Sequence, residues 1–320
     1  MVGPGGLRIV FFGTPEFAVP TLDALLLATP HMVVGVVTQP DRPRGRGQKT
    51  TAGPVKLRAL SAGLPVLQPE RLKDQSFLDA LAALRADLGV VAAYGKILTD
   101  VVLATPRLGM VNVHASLLPR YRGAAPVHRA VIAGETETGV TIMRVVKALD
   151  AGGMLAKVTR AIGPDDTSDE VERDLASLGA NILVTTIDAL ADDRVSETAQ
   201  NDAEATYAHR LTKDDGVVDW SRSAGDLHNQ IRGLHPWPHA FTFARGQRVI
   251  LHRSTQAAAD ASASVPGSVL EAAGDRLVVA TGTGALQILV MQAEGKRPMA
   301  ARDFLAGHPL APGDRLTATP

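Results

Sequence analysis

The chain has 320 residues, 45% of them hydrophobic and 21% charged, which suits one large or two moderate domains whose cores need no covalent staples. It has no cysteine, so disulfides, zinc–thiolate sites and thiol nucleophiles are excluded. Its 33 Lys and Arg balance 33 Asp and Glu, so any nucleic-acid binding has to rest on local rather than net charge.

The first residues, MVGPGGLRIVFFG, lack a basic region leading into a long apolar stretch and a cleavage site. No run of about 18 apolar residues follows anywhere, so a cytoplasmic chain without a membrane span is expected. Leu7 to Phe12 reads as a buried strand ending at Gly13, and Phe17 to Leu27 has apolar residues at helical spacing. Met32 to Thr38 is a second, β-branched strand. Helices are expected over Val55 to Ala62, stopped by Gly63, and over Phe77 to Leu84. Leu88 to Ala93 and Met110 to His114 are the third and fourth strands. Continuous apolar strands alternating with helices imply βαβ units, a mostly parallel sheet covered on both faces, and a site beyond the carboxyl ends of its strands. The chemistry is therefore expected just after Phe12, Thr38, Ala93 and Val113.

Gly139 reads as a turn before a strand at Val140 to Val145, and Leu155 to Val158 as extended. Thr167-x-x-Glu170 is a capping-box pattern, and Val171, Leu175, Leu178 and Ile182 then recur at helical spacing. That helix closes a first domain over residues 1–192. Residues 193–204 are polar and aperiodic, a candidate linker. From 205 to 320 short strands take over: Phe241 to Phe243, Arg248 to His252, Ser268 to Glu271, Leu277 to Ala280 and Leu286 to Met291. They predict a small β-barrel or sandwich, with a loop at Ala257 to Ser264. The fold class expected is α/β: a Rossmann-like sheet domain followed by a smaller, OB-like barrel domain.

The string Asn112-Val-His114-Ala-Ser-Leu-Leu-Pro119 carries the strongest chemical signal. Asn112 and His114 are two apart on a strand, so both project from one face at its carboxyl end. An amide can stabilise an oxyanion, and an imidazole passes protons near neutral pH. Asp150 follows in Leu149-Asp-Ala-Gly-Gly153, a turn that admits close approach. On spacing alone, an Asn and a His satisfied by backbone and an Asp capping a turn would look the same.

This string, with its later Leu-Asp-x-Gly, resembles the signature of the folate-dependent formyltransferases. Further matching stretches are Phe12 to Phe17, Thr38 to Arg42, Ala93 to Leu98, Arg122 to Pro126, Glu137 to Ile142 and Trp237-Pro238, in order along nearly the whole chain. The likeness is strongest to the branch acting on methionyl-tRNA. It implies transfer of the formyl group of 10-formyltetrahydrofolate to the α-amino group of methionyl initiator tRNA. Asn112, His114 and Asp150 would be the catalytic residues, and no metal is needed once the formyl oxygen is held and the amine positioned. The resemblance further implies folate contacts at Ser116, Leu117, Leu118 and Pro119. Ala92 and Tyr94 would form a second wall of the pterin pocket, largely through backbone groups.

Arg42, Arg44, Arg46 and Lys49 stand among Gly and Pro after a strand, where helical regularity is improbable. A solvated loop would have this composition. The resemblance makes it the loop that engages the tRNA acceptor end, with Arg42 foremost. Arg210, Lys213, Arg222, Arg232, Arg245, Arg248 and Arg253 add scattered positive charge to the second domain, with Asp214, Asp215 and Asp219 among them. The expected assembly is a monomer.

Two other readings stay open: formyl transfer to a small-molecule amine (an amino sugar nucleotide or glycinamide ribonucleotide), and a non-catalytic RNA- or folate-binding module. Gly13-Thr-Pro lacks the GxGxxG and Walker patterns of nucleotide loops. His235-Pro-Trp-Pro-His239 could suggest a metal pair, but ligand spacing and partners are missing, and it reads as a rigid turn with a packed indole.

Overall fold

The computed structural model describes residues 6–28, 30–44 and 49–320. Strand β1 (Arg8–Gly13) and helix α1 (Val19–Leu27) precede β2 (Met32–Val37) and a short pair, β3 (Arg42–Arg44) and β4 (Lys49–Thr51). Then come α2 (Pro54–Ser61), β5 (Val66–Leu67), α3 (Gln75–Ala83), β6 (Leu88–Ala92), α4 (Asp100–Ala104) and β7 (Met110–His114). After these lie β8 (Arg122–Gly123), α5 (Pro126–Ile132), β9 (Glu137–Arg144), β10 (Met154–Ala161) and the long α6 (Ser168–Ala191). The remainder holds β11 (Tyr207–Ala208), α7 (Ala224–Gly233), β12 (Ala240–Ala244), β13 (Gln247–Ala257), β14 (Val269–Ala273), β15 (Arg276–Ala280), β16 (Ala285–Ala293), β17 (Met299–Ala300), α8 (Ala301–Gly307) and β18 (Leu316–Thr317).

Two compact units form. The first runs to Pro126 and takes in Thr138–Arg160 and Glu172–Ala208; the second takes Val127–Glu137, Ala161–Val171 and His209–Pro320. The chain thus passes between units more than once.

In the first unit the sheet order is β10-β9-β7-β6-β1-β2-β5. The five strands from β7 to β5 are mutually parallel, and β9 joins β7 antiparallel. The sheet is therefore mixed and Rossmann-like. The inner strands are buried along nearly their whole length, as in β1, where Ile9, Val10, Phe11 and Phe12 are all 0% exposed. Edge strand β10 instead alternates half-buried and exposed residues, including exposed Lys157. Helix α6 has the length and hydropathy of a membrane span. In this fold it is a core helix: Leu175, Ala176, Leu183 and Ile187 are buried. Gly179 of α6 lies so close to the sheet that a Cβ there would stand 2.7 Å from Val113 Cγ1. The helix therefore rests directly on β7, on the face opposite Asn112 and His114.

Gly139 is not in a turn but inside β9. A Cβ there would meet the Val158 carbonyl at 2.1 Å and Leu117 at 2.5 Å, so close approach of neighbouring backbone explains the glycine.

The second unit is a curled half-barrel of antiparallel strands in the order β14-β15-β16-β13-β12-β18, with β17 on β16. Helix α7 packs on β13 through buried Leu227 and Ile231. The capping box at Thr167 forms as the sequence pattern requires: Glu170 Oε2 accepts from Thr167 N at 2.8 Å, and Glu170 N donates to Thr167 Oγ1 at 3.4 Å.

Candidate active site

Strand β7 ends in the middle of the first sheet, between parallel β6 and antiparallel β9. Asn112 lies opposite Val91 and Met143, and His114 opposite Thr141. Both project from one face. The Asn112 side chain is half-buried and its amide makes no hydrogen bond with the described residues. A half-buried amide with two donors and no protein partner at a strand end is available to a ligand.

His114 is 5% exposed. Its Nε2 lies 3.0 Å from the Tyr121 carbonyl oxygen, and its Nδ1 lies 3.7 Å from Asp150 Oδ2. A carbonyl only accepts, so Nε2 carries a hydrogen. The nitrogen facing Asp150 is then Nδ1, which donates only when the ring is an imidazolium.

Asp150 is held in the left-handed region at φ +48°, uncommon for a residue with a side chain. Three contacts fix it. Gly123 N donates to its Oδ2 at 2.8 Å. Gln200 Nε2 donates to its carbonyl oxygen and to that of Gly152, both at 2.8 Å. Gly152 approaches Arg144 so closely that a Cβ would lie 1.9 Å from its carbonyl oxygen. Gln200 is itself oriented by Arg122, whose Nε donates to Gln200 Oε1 at 3.0 Å while Nη2 pairs with Asp202 at 2.7 Å. Arg122 is 3% exposed, so its guanidinium is shielded from water although Asp202 stands at the surface. Gly123 sits at φ +115° against the Ala208 carbonyl, where β8 pairs with β11.

The expected folate turn is ordered from beneath. Ser116 is fully buried, and its Oγ donates to the Arg120 carbonyl oxygen at 2.7 Å. Thr141 Oγ1 donates to Ser116 O and accepts from Leu118 N. Leu118 is fully buried, whereas Leu117 and Pro119 are half-buried. Ser116 and Leu118 thus shape the turn, and Leu117 and Pro119 are the members that reach its surface. At the end of β6, Ala92 is buried, and the Tyr94 ring lies in the core, edge-on to Phe12 with centroids 5.5 Å apart. The Tyr94 carbonyl oxygen accepts from Thr14 Oγ1 and Gln39 Nε2.

Arg42 is exposed at the start of the β3–β4 hairpin, where antiparallel pairing joins Arg42 to Thr51 and Arg44 to Lys49. Arg46 lies outside the described residues. Asp41, just before the hairpin, is anchored by Lys56 and Gln68, whose hydrogen bonds hold its carboxyl below its ordinary value. In the second unit, Arg232 is buried and donates to the Gly163 and Asp166 carbonyl oxygens, so it is a structural residue and not a free cation. Arg245 and Arg253 are paired with Asp314 and Glu170.

The expected packed indole of Trp237 is 49% exposed. His252 stands beside His235 and His239, a neighbour supplied by strand pairing that the local sequence does not reveal.

The sequence singled out Asn112, His114 and Asp150, which the fold brings together, but not Gln200, which falls in the stretch read as a linker. A lone Gln that bonds to backbone carbonyls carries no pattern. Arg122 and Gly123 were visible only as part of a matching string.

A family model described as formyl transferase matches residues 7–187, and one described as formyl transferase, C-terminal domain matches residues 210–309. The methionyl-tRNA formyltransferase of Moorella thermoacetica is 47% identical, over 97% of this chain and 99% of its own. That of Methylococcus capsulatus is 49% identical over the same shares. Among solved structures, an N-formyltransferase from Helicobacter canadensis in complex with folinic acid and dTDP-3-aminofucose superposes with TM-score 0.67 at 16% identity, covering 90% of this chain and 99% of its own. HypX from Aquifex aeolicus in complex with tetrahydrofolic acid gives TM-score 0.64 at 16% identity, over 97% of this chain and 50% of its own. At such identities these structures establish a shared fold alone.

Proposed function

We propose, from the premise that the chain belongs to the methionyl-tRNA formyltransferase family, that it transfers the formyl group of 10-formyltetrahydrofolate to the α-amino group of methionyl initiator tRNA. The observation that carries the reading is the unpartnered Asn112 amide beside the His114–Asp150 pair at the end of β7. The folate co-substrate supplies an activated formyl carbon.

Asn112 donates to the formyl oxygen and stabilises the negative charge that gathers there as the amine attacks. His114 adds a second donor to that oxygen and can pass a proton to the departing N10. Asp150 accepts, through water, the proton that the attacking amine sheds. Its fixed φ and its bond from Gly123 leave one carboxylate oxygen, Oδ1, for that task. Leu117, Pro119 and the backbone at Ala92 to Tyr94 hold the pterin, with Ser116 and Leu118 setting the turn from below. Arg42, Arg44, Arg46 and Lys49 contact the acceptor end of the tRNA. The protein works in the cytoplasm as a monomer, without a metal in the reaction.

A small-molecule acceptor is the alternative. The cationic hairpin and the second unit argue against it, as does identity of 44–49% to relatives named for methionyl-tRNA over at least 94% of this chain. Labelled formyl transfer from 10-formyltetrahydrofolate, offered methionyl initiator tRNA, methionyl elongator tRNA, an amino sugar nucleotide and glycinamide ribonucleotide, separates the two. The expected product is formylmethionyl initiator tRNA. Label on a small acceptor alone overturns the reading.

A further inference from the structure

We infer that His235, His239 and His252 of the second unit form a binding site for one zinc ion. Each ring offers one nitrogen, and these atoms lie within 4.8 Å of one another. His239 and His252 have ring centroids 4.5 Å apart, and His235 stands 5.4 Å from His239. Tetrahedral zinc with bonds of about 2.0–2.1 Å places its nitrogens roughly 3.4 Å apart, a spacing that the three rings approach.

The backbone brings these rings together by two devices. Ala240 of β12 pairs with Leu251 of β13, so the next antiparallel step sets His239 beside His252. His252 is also the extra residue of a bulge, between the Leu251–Met291 and Arg253–Val290 pairs. A bulge re-aims one side chain without ending the strand. Pro236 and Pro238 then fix φ on either side of Trp237 and hold His235 and His239 at the two ends of one turn.

Hydrogen bonding fixes which nitrogen of His252 can accept. Gln292 Nε2 donates to the Lys296 carbonyl oxygen at 2.7 Å, which turns its Oε1 toward His252. His252 Nε2 lies 2.9 Å from that oxygen and must donate to it, which leaves Nδ1 as an acceptor. Metal-binding histidines characteristically donate their second N–H to such an oxygen. His235 Nδ1 and His239 Nδ1 are buried and have no hydrogen-bond partner among the described residues. Buried polar atoms without partners are costly and uncommon. Three convergent imidazole nitrogens suit a borderline transition ion rather than calcium or magnesium, and leave the fourth zinc position to water. The ion pins the turn between α7 and β12 onto β13 and lies outside the first unit that contains the formyl-transfer residues.

The test uses the full chain, stripped with a chelator and dialysed, then titrated with Zn²⁺ against a chromophoric competitor. Co²⁺ is added in parallel for its visible spectrum. One equivalent of Zn²⁺ withheld from the competitor, an intense tetrahedral Co²⁺ band, and a Zn²⁺-dependent rise in Tm are expected. His239→Asn and His252→Asn should each lose at least 100-fold in affinity and abolish the Tm rise. Gln292→Leu, which spares all three rings, should lose about 10- to 100-fold. Circular dichroism checks that each variant folds. Wild-type chain that withholds no zinc overturns the proposal even if every variant misfolds, and so do folded variants that bind like wild type.

Discussion

At the scale of single residues, the proposed mechanism gives Asn112 the developing oxyanion and Asp150 the shed proton. Asn112→Ala removes the neutral donor, and kcat should fall about 10²- to 10³-fold with the far-ultraviolet spectrum unchanged. Steady-state kinetics that leave kcat within about threefold of wild type would contradict the role. Gln200→Ala removes the two bonds that hold the Asp150 loop, and Asp150 has a non-glycine side chain at φ +48°. It should lower kcat more than it raises KM, because in the proposed mechanism Gln200 positions Asp150 and does not contact substrate. The three catalytic candidates were legible because their chemistry demands particular side chains in a short string. Gln200 was not, since it acts on carbonyl oxygens that any residue supplies. His252 was hidden for another reason: only the register of β12 against β13, and the bulge, bring it to His239.

At the scale of elements, the strands and helices with an apolar period were readable, and those without one were not. Helix α7 buries His228, Gln230 and Arg232 beside Leu227 and Ile231, and the three polar side chains bond to backbone oxygens or Ser254, so its sequence shows no apolar stripe. Helix α5 and the short pair β8 and β11 were missed because they are brief. Two glycines show how packing overrides pattern: Gly139 lies within a strand, and Gly179 lets α6 rest on Val113. Gly179→Val should therefore press on the strand that carries Asn112 and His114, destabilising the protein by about 1–3 kcal/mol in urea unfolding and lowering kcat as well. A variant of unchanged stability would show that α6 has room to move. At the start of α6, Glu170 is lowered from 4.5 to about 2, chiefly by the Thr167 hydroxyl and then its N–H, with Arg253 adding attraction. A lowered folded-state value stabilises above the unfolded value and is lost as pH falls through the folded one. Melting temperature should drop between about pH 5 and pH 2, and Glu170→Gln should flatten that part of the profile.

At the scale of the whole molecule, a chain of zero formal net charge would have to reach the proposed tRNA through local positive charge, not through its overall field. Arg42 is exposed at the hairpin that the proposal sets against the acceptor end. If Arg42 neutralises one phosphate, Arg42→Ala should weaken tRNA binding and reduce the slope of log K against log salt by about 1. An unchanged slope in a filter-binding series would remove Arg42 from the phosphate contacts. The scattered arginines of the second unit were readable as charge but not as partners, because pairing with Asp314 or Glu170 depends on the fold. The central claim joins the two scales: a strand-end Asn–His–Asp centre that formylates an aminoacylated tRNA. Single-turnover formylation of methionyl initiator tRNA from labelled 10-formyltetrahydrofolate, comparing wild type with Asp150→Asn, tests it most directly. The account predicts rapid label transfer by the wild type and at least 100-fold slower transfer by the variant. Equal rates, or no transfer by the wild type, would contradict it.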